Sequence, residues 1–533
     1  MNLKTTQTKI FLFVSLFLTI FYNFTFFEKT LIAFPLSGRT FLFLASLSIC
    51  LFCFINIVLN LFRSKYTTKP FLILILLLSS MAAYVTDSYG TILDETMFLN
   101  IFGTDLHEAR DLLSFKGFLY FSLLGILPSY LIYKTRLEIF SLKKEFTSRL
   151  KTLSISFVVV FFMLISFGKN YATFFREQKV LRSYTNPTFY IFSIGKYAGR
   201  FYGNSKKELI RIGLEAKVER NKRIRKLVIF VVGETARRDR FSLNGYKKET
   251  NPLLSKENVI SFNNMTSCGT STAISVPCIF SNMQRSHFSA DKAETTENLL
   301  DIFSHTKNIN ILWRDNNSNS KGVAVRVPYE DFKFAPTNTI CDPECRDVGM
   351  LVGLQDYVNK NKNGDIFIVL HQMGNHGPQY HKRYPSNFEK FKPVCETNEL
   401  EKCTNEQINN AYDNAILYTD YFLSHVVSFL KDNSQEFGTA MLYVSDHGES
   451  LGENGVYLHG LPYFVAPDEQ KNVASILWLG GAISQNTNYN LLKYKATSAF
   501  SHDNVFHTFL GLMDVKTDLY HQEMDMLQNV IKK

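Results

Sequence analysis

Apolar positions follow two different patterns along this chain. As far as about residue 170 they come in long unbroken runs, near 10–27, 40–62, 69–86, 116–133 and 150–168. Each approaches the roughly 20 residues that a helix needs to cross a bilayer. From Leu227 onward the runs shorten to LVIFVV (227–232), NINILW (308–313), DIFIVL (365–370), AMLYVS (440–445) and ASILWL (474–479), separated by helix-like stretches. Short continuous apolar runs bounded by polar turns suit central strands covered on both faces by helices. The pattern predicts an N-terminal transmembrane domain of five helices over 1–170, an amphipathic linker along the membrane over 171–226, and a C-terminal α/β/α domain over 227–533. The first run is too long for a signal-peptide core, and no small-residue cleavage site precedes the next run, so it is expected to be a retained helix.

Charge gives the spans a direction. Lys4 and Lys9, then Arg63, Lys65 and Lys69, then Lys134, Arg136, Lys143, Lys144, Arg149 and Lys151 occupy alternate ends of the runs, which assigns those ends to the cytoplasm. The segment 87–115 carries Asp87, Asp94, Glu95, Asp105, Glu108 and Asp111 and belongs on the opposite side. Five spans then export everything after about residue 170, so a mean hydropathy of −0.04 averages over two solvents.

Cysteine usage agrees with export. Six of the eight cysteines lie in the exported part as near neighbours, Cys268 with Cys278, Cys341 with Cys345 and Cys395 with Cys403, and an oxidising compartment would bridge them. No pair has CxxC spacing, which disfavours a zinc knuckle. The net charge of +10 does not point to nucleic acid, because Lys and Arg gather in the cytoplasmic loops and in a stretch containing Lys206, Arg211, Arg220, Lys222, Arg223, Arg225 and Lys226. Contact with anionic lipid head groups or a solvated linker face explains that stretch.

Three of the strand-like runs end in candidate chemistry: Glu234 after the first, His371 to His376 after the third, Asp446-His447 after the fourth. Open α/β sheets place ligands at the carboxyl ends of strands. A strand-end Glu is more often a cap or an ion-pair partner. Two strands presenting carboxylate and imidazole together, with His376 and His459 in the same half, form a donor set suited to zinc. Ser267-Cys268-Gly269-Thr270-Ser271-Thr272-Ala273 reads as a tight turn entering a helix. A hydroxyl there is a cap or a nucleophile, since a helix N-terminus favours the anion that forms on attack. The residues themselves leave Thr270 and Thr272 as alternatives.

The strings VVGETARRDRFSLNGY, TSCGTSTAISVPCIFS, RDNNSNSKGV, NHGPQYHKRYP and SDHGESLGENGVYLHG resemble the motif set of the lipid A phosphoethanolamine transferases, the family that includes the mobile colistin-resistance enzymes. The resemblance covers almost the whole chain. It implies a catalytic part similar to the alkaline phosphatase and sulfatase superfamily. It also implies a catalytic zinc on Glu234, Thr272, Asp446 and His447, with Thr272 as the threonine that is phosphorylated. Lys321, His376 and His459 match positions that hold the phosphoethanolamine phosphate or a second zinc, with Asn317 and Glu449 as adjacent candidates. Asn100, Thr104 and Glu108 recur every four residues, on one face if helical, and match a set that binds the phosphoethanolamine head group.

The expected reaction takes phosphoethanolamine from phosphatidylethanolamine to Thr272 and then to lipid A or another envelope acceptor, at a bacterial inner membrane with the catalytic domain in the periplasm. Resistance to cationic peptides such as polymyxin follows from the added positive charge. The alternatives are a phosphoglycerol transferase or sulfatase-type hydrolase of the same superfamily, or a non-catalytic envelope scaffold. A transporter is disfavoured because the charged groups cluster outside the spans.

Overall fold

The computed structural model describes residues 4–64, 66–103, 106–138, 140–204, 208–219, 224–342 and 344–532. Contacts divide the chain into two units, Met1–Phe98 with Leu113–Gly199, and Leu99–Leu112 with Arg200–Lys533. The second assignment is unexpected from sequence, because residues 99–112 lie between two apolar runs yet join the C-terminal unit.

Among the described residues of the first unit four helices are long and apolar enough to cross a membrane: α3 (Gly38–Leu61), α4 (Thr68–Tyr89), the helical run Phe115–Lys134 and the helix Leu142–Ser166. The first apolar run is instead two helices, α1 (Gln7–Phe21) and α2 (Phe24–Ala33), bent by 56° at Tyr22-Asn23. Asn23 explains the break: its side-chain amide donates to Leu18 O at 2.9 Å, a carbonyl that also accepts the Tyr22 amide at 3.2 Å, and to Asn186 O at 2.8 Å, which ties the end of α1 to a residue far along the chain. The unit buries polar side chains among apolar ones and turns apolar side chains outward. Asn56 donates to Ser156 Oγ at 3.0 Å and buried Arg63 pairs with Glu145 at 2.6 Å, while Phe157, Val158, Phe161, Phe162 and Ile165 are exposed. That outward apolar surface marks lipid rather than water as the solvent.

The second unit is built on a seven-stranded sheet of β1 (Arg225–Gly233), β2 (Val259–Ser261), β3 (Ile309–Asp315), β4 (Tyr329–Asp331), β5 (Asp365–His371), β6 (Phe437–Ser445) and β7 (Ser475–Gly480), in the order β2-β7-β6-β1-β5-β3-β4. β6, β1, β5, β3 and β4 are parallel, and β7 is antiparallel to β6. Alternation explains why β1 reads as unbroken apolar sequence: Val228, Phe230 and Val232 enter one core, Leu227, Ile229 and Val231 the other, and all six are fully buried.

Arg225 and Lys226 are not linker positions. They open β1, where Arg225 donates to Gly364 O and Lys226 pairs with Asp514 at 2.7 Å. Lys206, Arg220, Lys222 and Arg223 lie outside the described residues. Disulfides join Cys268 to Cys278, Cys341 to Cys345 and Cys395 to Cys403. Cys50 and Cys53 are free.

Candidate active site

Parallel alignment brings the ends of β1 and β6 side by side, with Ser445 registered against Gly233. Gly233 is required there, because a Cβ would come within 2.5 Å of the Tyr443 ring. The chain then turns sharply through Thr235, at φ 51°, which leaves Glu234 fully buried. Across from it, Asp446 Oδ1 accepts from the His447 amide at 2.7 Å and the Thr235 amide at 3.3 Å. His447 Nδ1 donates to Gly448 O at 2.9 Å, so its Nε2 is left as an acceptor facing Glu234 and Asp446 at 3.4 Å each.

Thr272 begins the helix Thr272–Ile279. Its hydroxyl donates to Glu234 Oε2 at 3.1 Å and lies 3.3 Å from His447 Nε2. The Thr270 hydroxyl donates instead to Leu461 O at 2.6 Å, so the geometry separates two threonines that local pattern leaves as alternatives. The turn before the helix is held by the Cys268–Cys278 bridge and by a bond from the Cys268 amide to His502 Nδ1 at 3.1 Å. His502 Nε2 donates in turn to Ser445 O at 3.0 Å, so this fully buried ring ties the threonine turn to the end of β6. No sequence motif marked His502.

One donor atom each from Glu234, Asp446 and His447 falls within 4.8 Å of the others. Asp446 Oδ2 is buried with no hydrogen-bond donor among the described residues. A buried carboxylate oxygen left this way is costly unless a cation completes it, so these residues fit a divalent metal. Cys268, Cys278 and Asp503 also converge, but both sulfurs are consumed in the disulfide.

Asn317 and Glu449 support other residues. Asn317 Nδ2 donates to Glu234 Oε2 at 2.9 Å and to Gln372 O at 2.8 Å. Asp315 holds the Asn317 amide at 2.9 Å and is itself held by Trp313 Nε1 and His371 Nδ1. Glu449 accepts from His459 Nδ1 at 3.2 Å. The rings of His447, His459 and His376 follow one another at centroid spacings of 4.2 and 5.4 Å, from the buried cluster outward. Burial pushes the pKa of His447 down, that of His459 to about 4 and that of His376 well below its ordinary value, so both outer rings are neutral bases at pH 7.

Lys321 sits at φ 48°, a left-handed conformation that is strained for lysine, and Nζ donates to Ser318 Oγ at 2.5 Å and Gly103 O at 3.1 Å. The expected headgroup set falls on two helices rather than one. Asn100, half-buried, lies on Glu95–Gly103, and position 108 lies on Leu106–Asp111. Thr104 and the Glu108 side chain lie outside the described residues.

A family model for sulfatase matches residues 226–515, and one described as phosphoethanolamine transferase EptA/EptB matches residues 51–202. The chain is 43% identical over 518 residues to the phosphatidylethanolamine transferase Mcr-1 of Escherichia coli, covering 95% of this chain and 94% of the relative. It is 39% identical over 533 residues to the phosphoethanolamine transferase EptA of Escherichia coli K12, covering 97% and 96%. Among solved structures, the integral membrane lipooligosaccharide phosphoethanolamine transferase A of Neisseria meningitidis superimposes with a TM-score of 0.95 at 32% identity, covering 100% of both chains. Sheet, buried donor cluster and relatives agree: the chain belongs to the EptA-type phosphoethanolamine transferases, inner-membrane enzymes with a sulfatase-like catalytic domain in the periplasm.

Proposed function

We propose that this enzyme moves phosphoethanolamine from phosphatidylethanolamine to lipid A through an ester on Thr272, with zinc as its metal. One observation carries the reading: the Thr272 hydroxyl meets Glu234 and His447 inside a fully sequestered carboxylate and imidazole cluster. The bent pair α1 and α2, taken as one span, would bring the count to five, which together with the loop charges supports export of the catalytic unit.

Glu234, Asp446, His447 and Thr272 would hold the zinc, which supplies positive charge that lowers the threonine pKa and offsets charge on the phosphoryl oxygens. Thr272 Oγ1 attacks phosphorus, the bond from phosphorus to the diacylglycerol oxygen breaks, and that oxygen leaves with a proton. An acceptor phosphate oxygen then attacks the same phosphorus and the bond to Thr272 Oγ1 breaks. Glu234, steadied by Asn317, aims the hydroxyl. The helix N-terminus and Lys321 face the phosphoryl charge. His376 and His459, neutral through burial, take up and return the protons.

Peptide mass spectrometry of the full-length protein purified with phosphatidylethanolamine tests this. The expected result is a phosphoethanolamine adduct on the Thr272 peptide, absent from Thr272→Ala. A phosphoglycerol adduct would assign the donor to another phospholipid, and no adduct on a metal-loaded protein would overturn the covalent route.

A further inference from the structure

Residues 99–112 are strapped to the catalytic unit at both ends. Lys321 holds Gly103 O at one end. At the other, Asp111 is only 3% exposed and meets four side chains: Arg383 and Lys382 donate to its carboxylate, Gln379 and Asn398 to its carbonyl oxygen at 3.2 and 2.8 Å. Arg383 is equally buried and uses all three nitrogens. Nη2 bonds Asp111, Nη1 bonds Glu344 at 2.5 Å, and Nε donates to the carbonyl oxygen of His376 at 2.6 Å. One guanidinium therefore joins the backbone of a histidine in the active site to a segment that enters the fold from between two membrane spans.

Burying an ion pair yields little net stability, because desolvation offsets the attraction. What a planar three-way donor supplies is geometry. Burial pushes the Asp111 carboxyl up, and the Arg383 and Lys382 charges outweigh it, keeping the group ionised and the clamp closed at neutral pH.

We propose that Asp111 and Arg383 are a positioning pair that fixes the segment carrying Asn100 and position 108 relative to His376, and so sets the affinity for the phospholipid donor. This rests on the transfer reading above. Asp111 touches neither the threonine nor the donor cluster, so weakening it loosens the segment and leaves the chemical step in place.

The test uses full-length protein in mixed micelles of detergent and phosphatidylethanolamine. Asp111→Asn keeps the shape and removes the charge. It is expected to raise KM for the donor about tenfold, the effect of weakening one charge-assisted bond, with kcat, bound metal and the circular dichroism spectrum unchanged. Hydrogen exchange should quicken over 99–112 and stay slow at 372–376. Asp111→Glu, which keeps the charge, should recover much of the loss. An unchanged KM, or a fall in kcat at constant KM, overturns the proposal. Failure of the transfer reading shows separately, as a missing Thr272 adduct in the unsubstituted protein. The exchange contrast between Asp111→Asn and Asp111→Glu then judges the clamp alone, and equal protection of 99–112 in both overturns it.

Discussion

On one side of the catalytic centre, Glu234, Asp446 and His447 leave the ends of neighbouring parallel strands, all fully buried, with no more than one residue between each and its strand. On the other side, Lys321, His376 and His459 sit on loops, His376 and His459 are partly buried, and side-chain bonds hold them: Lys321 to Gly103 far along the chain, His376 to Arg383 and His459 to Glu449 close by. The sheet fixes the first group as part of its own hydrogen-bonding register. The second group keeps its place only while its partners do. In the proposed reaction, groups that would act identically in every turnover stand on the rigid frame, whereas groups that would meet two different amphiphiles stand where partner segments can adjust them.

The largest effect that would sharpen this contrast comes from the rigid side. Asp446→Asn removes a negative ligand without changing shape, and should cost several kcal/mol of transition-state stabilisation, roughly 10³-fold in kcat. Metal analysis of the purified variant should show depleted zinc while the sheet stays folded. Full metal content together with full activity would break the assignment of Asp446 as a ligand.

A middle-sized effect comes from the loop side. Lys321→Ala should lower kcat/KM by about 10²-fold, since one cation facing phosphoryl charge is lost. Lys321→Gly loses the same ammonium but relaxes the left-handed backbone at φ 48°. The glycine variant should therefore be as inactive as alanine yet more stable by about 1 kcal/mol. Equal melting temperatures would mean that the loop, and not the residue, adapts.

The same division decides what could be read from sequence. Each strand that ends at the site is a continuous apolar run followed closely by a carboxylate or histidine, so the sheet and its strand-end candidates are legible in local pattern. Local pattern does not separate Thr270 from Thr272, which differ in what their hydroxyls reach in space, and it is the motif resemblance that selects Thr272. Asp111 and Arg383 lie 272 positions apart, and Asp111 in sequence is one of several acids in a polar loop. The bend in the first span was hidden too, since Asn23 breaks the helix through a bond to Asn186, 163 residues away. Local periodicity reports elements, while pairings across the fold leave no local trace.

The smallest effect lies away from both sides and serves as their control. His507 is 3% exposed in the helix Asp503–Leu512, with Nδ1 accepting from the His521 amide at 3.2 Å. Burial, with a smaller contribution from the His521 charge against that of Glu523, pushes its pKa down to about 4. An unfolded histidine titrates near 6.5. Between those values the unfolded chain binds the extra proton, so stability is full above about pH 6.5 and falls as the pH drops toward 4. At pH 5 the single group should cost about 2 kcal/mol, a few degrees in Tm. Both tryptophans, Trp313 and Trp478, lie in the catalytic sheet, so intrinsic fluorescence melts report this unit alone. His507→Gln should lose less Tm between pH 7.5 and pH 5 than the unsubstituted protein, with kcat unchanged at pH 7.5. Parallel losses in the two proteins would move the acid sensitivity of this unit to its other buried histidines, those lining the catalytic centre.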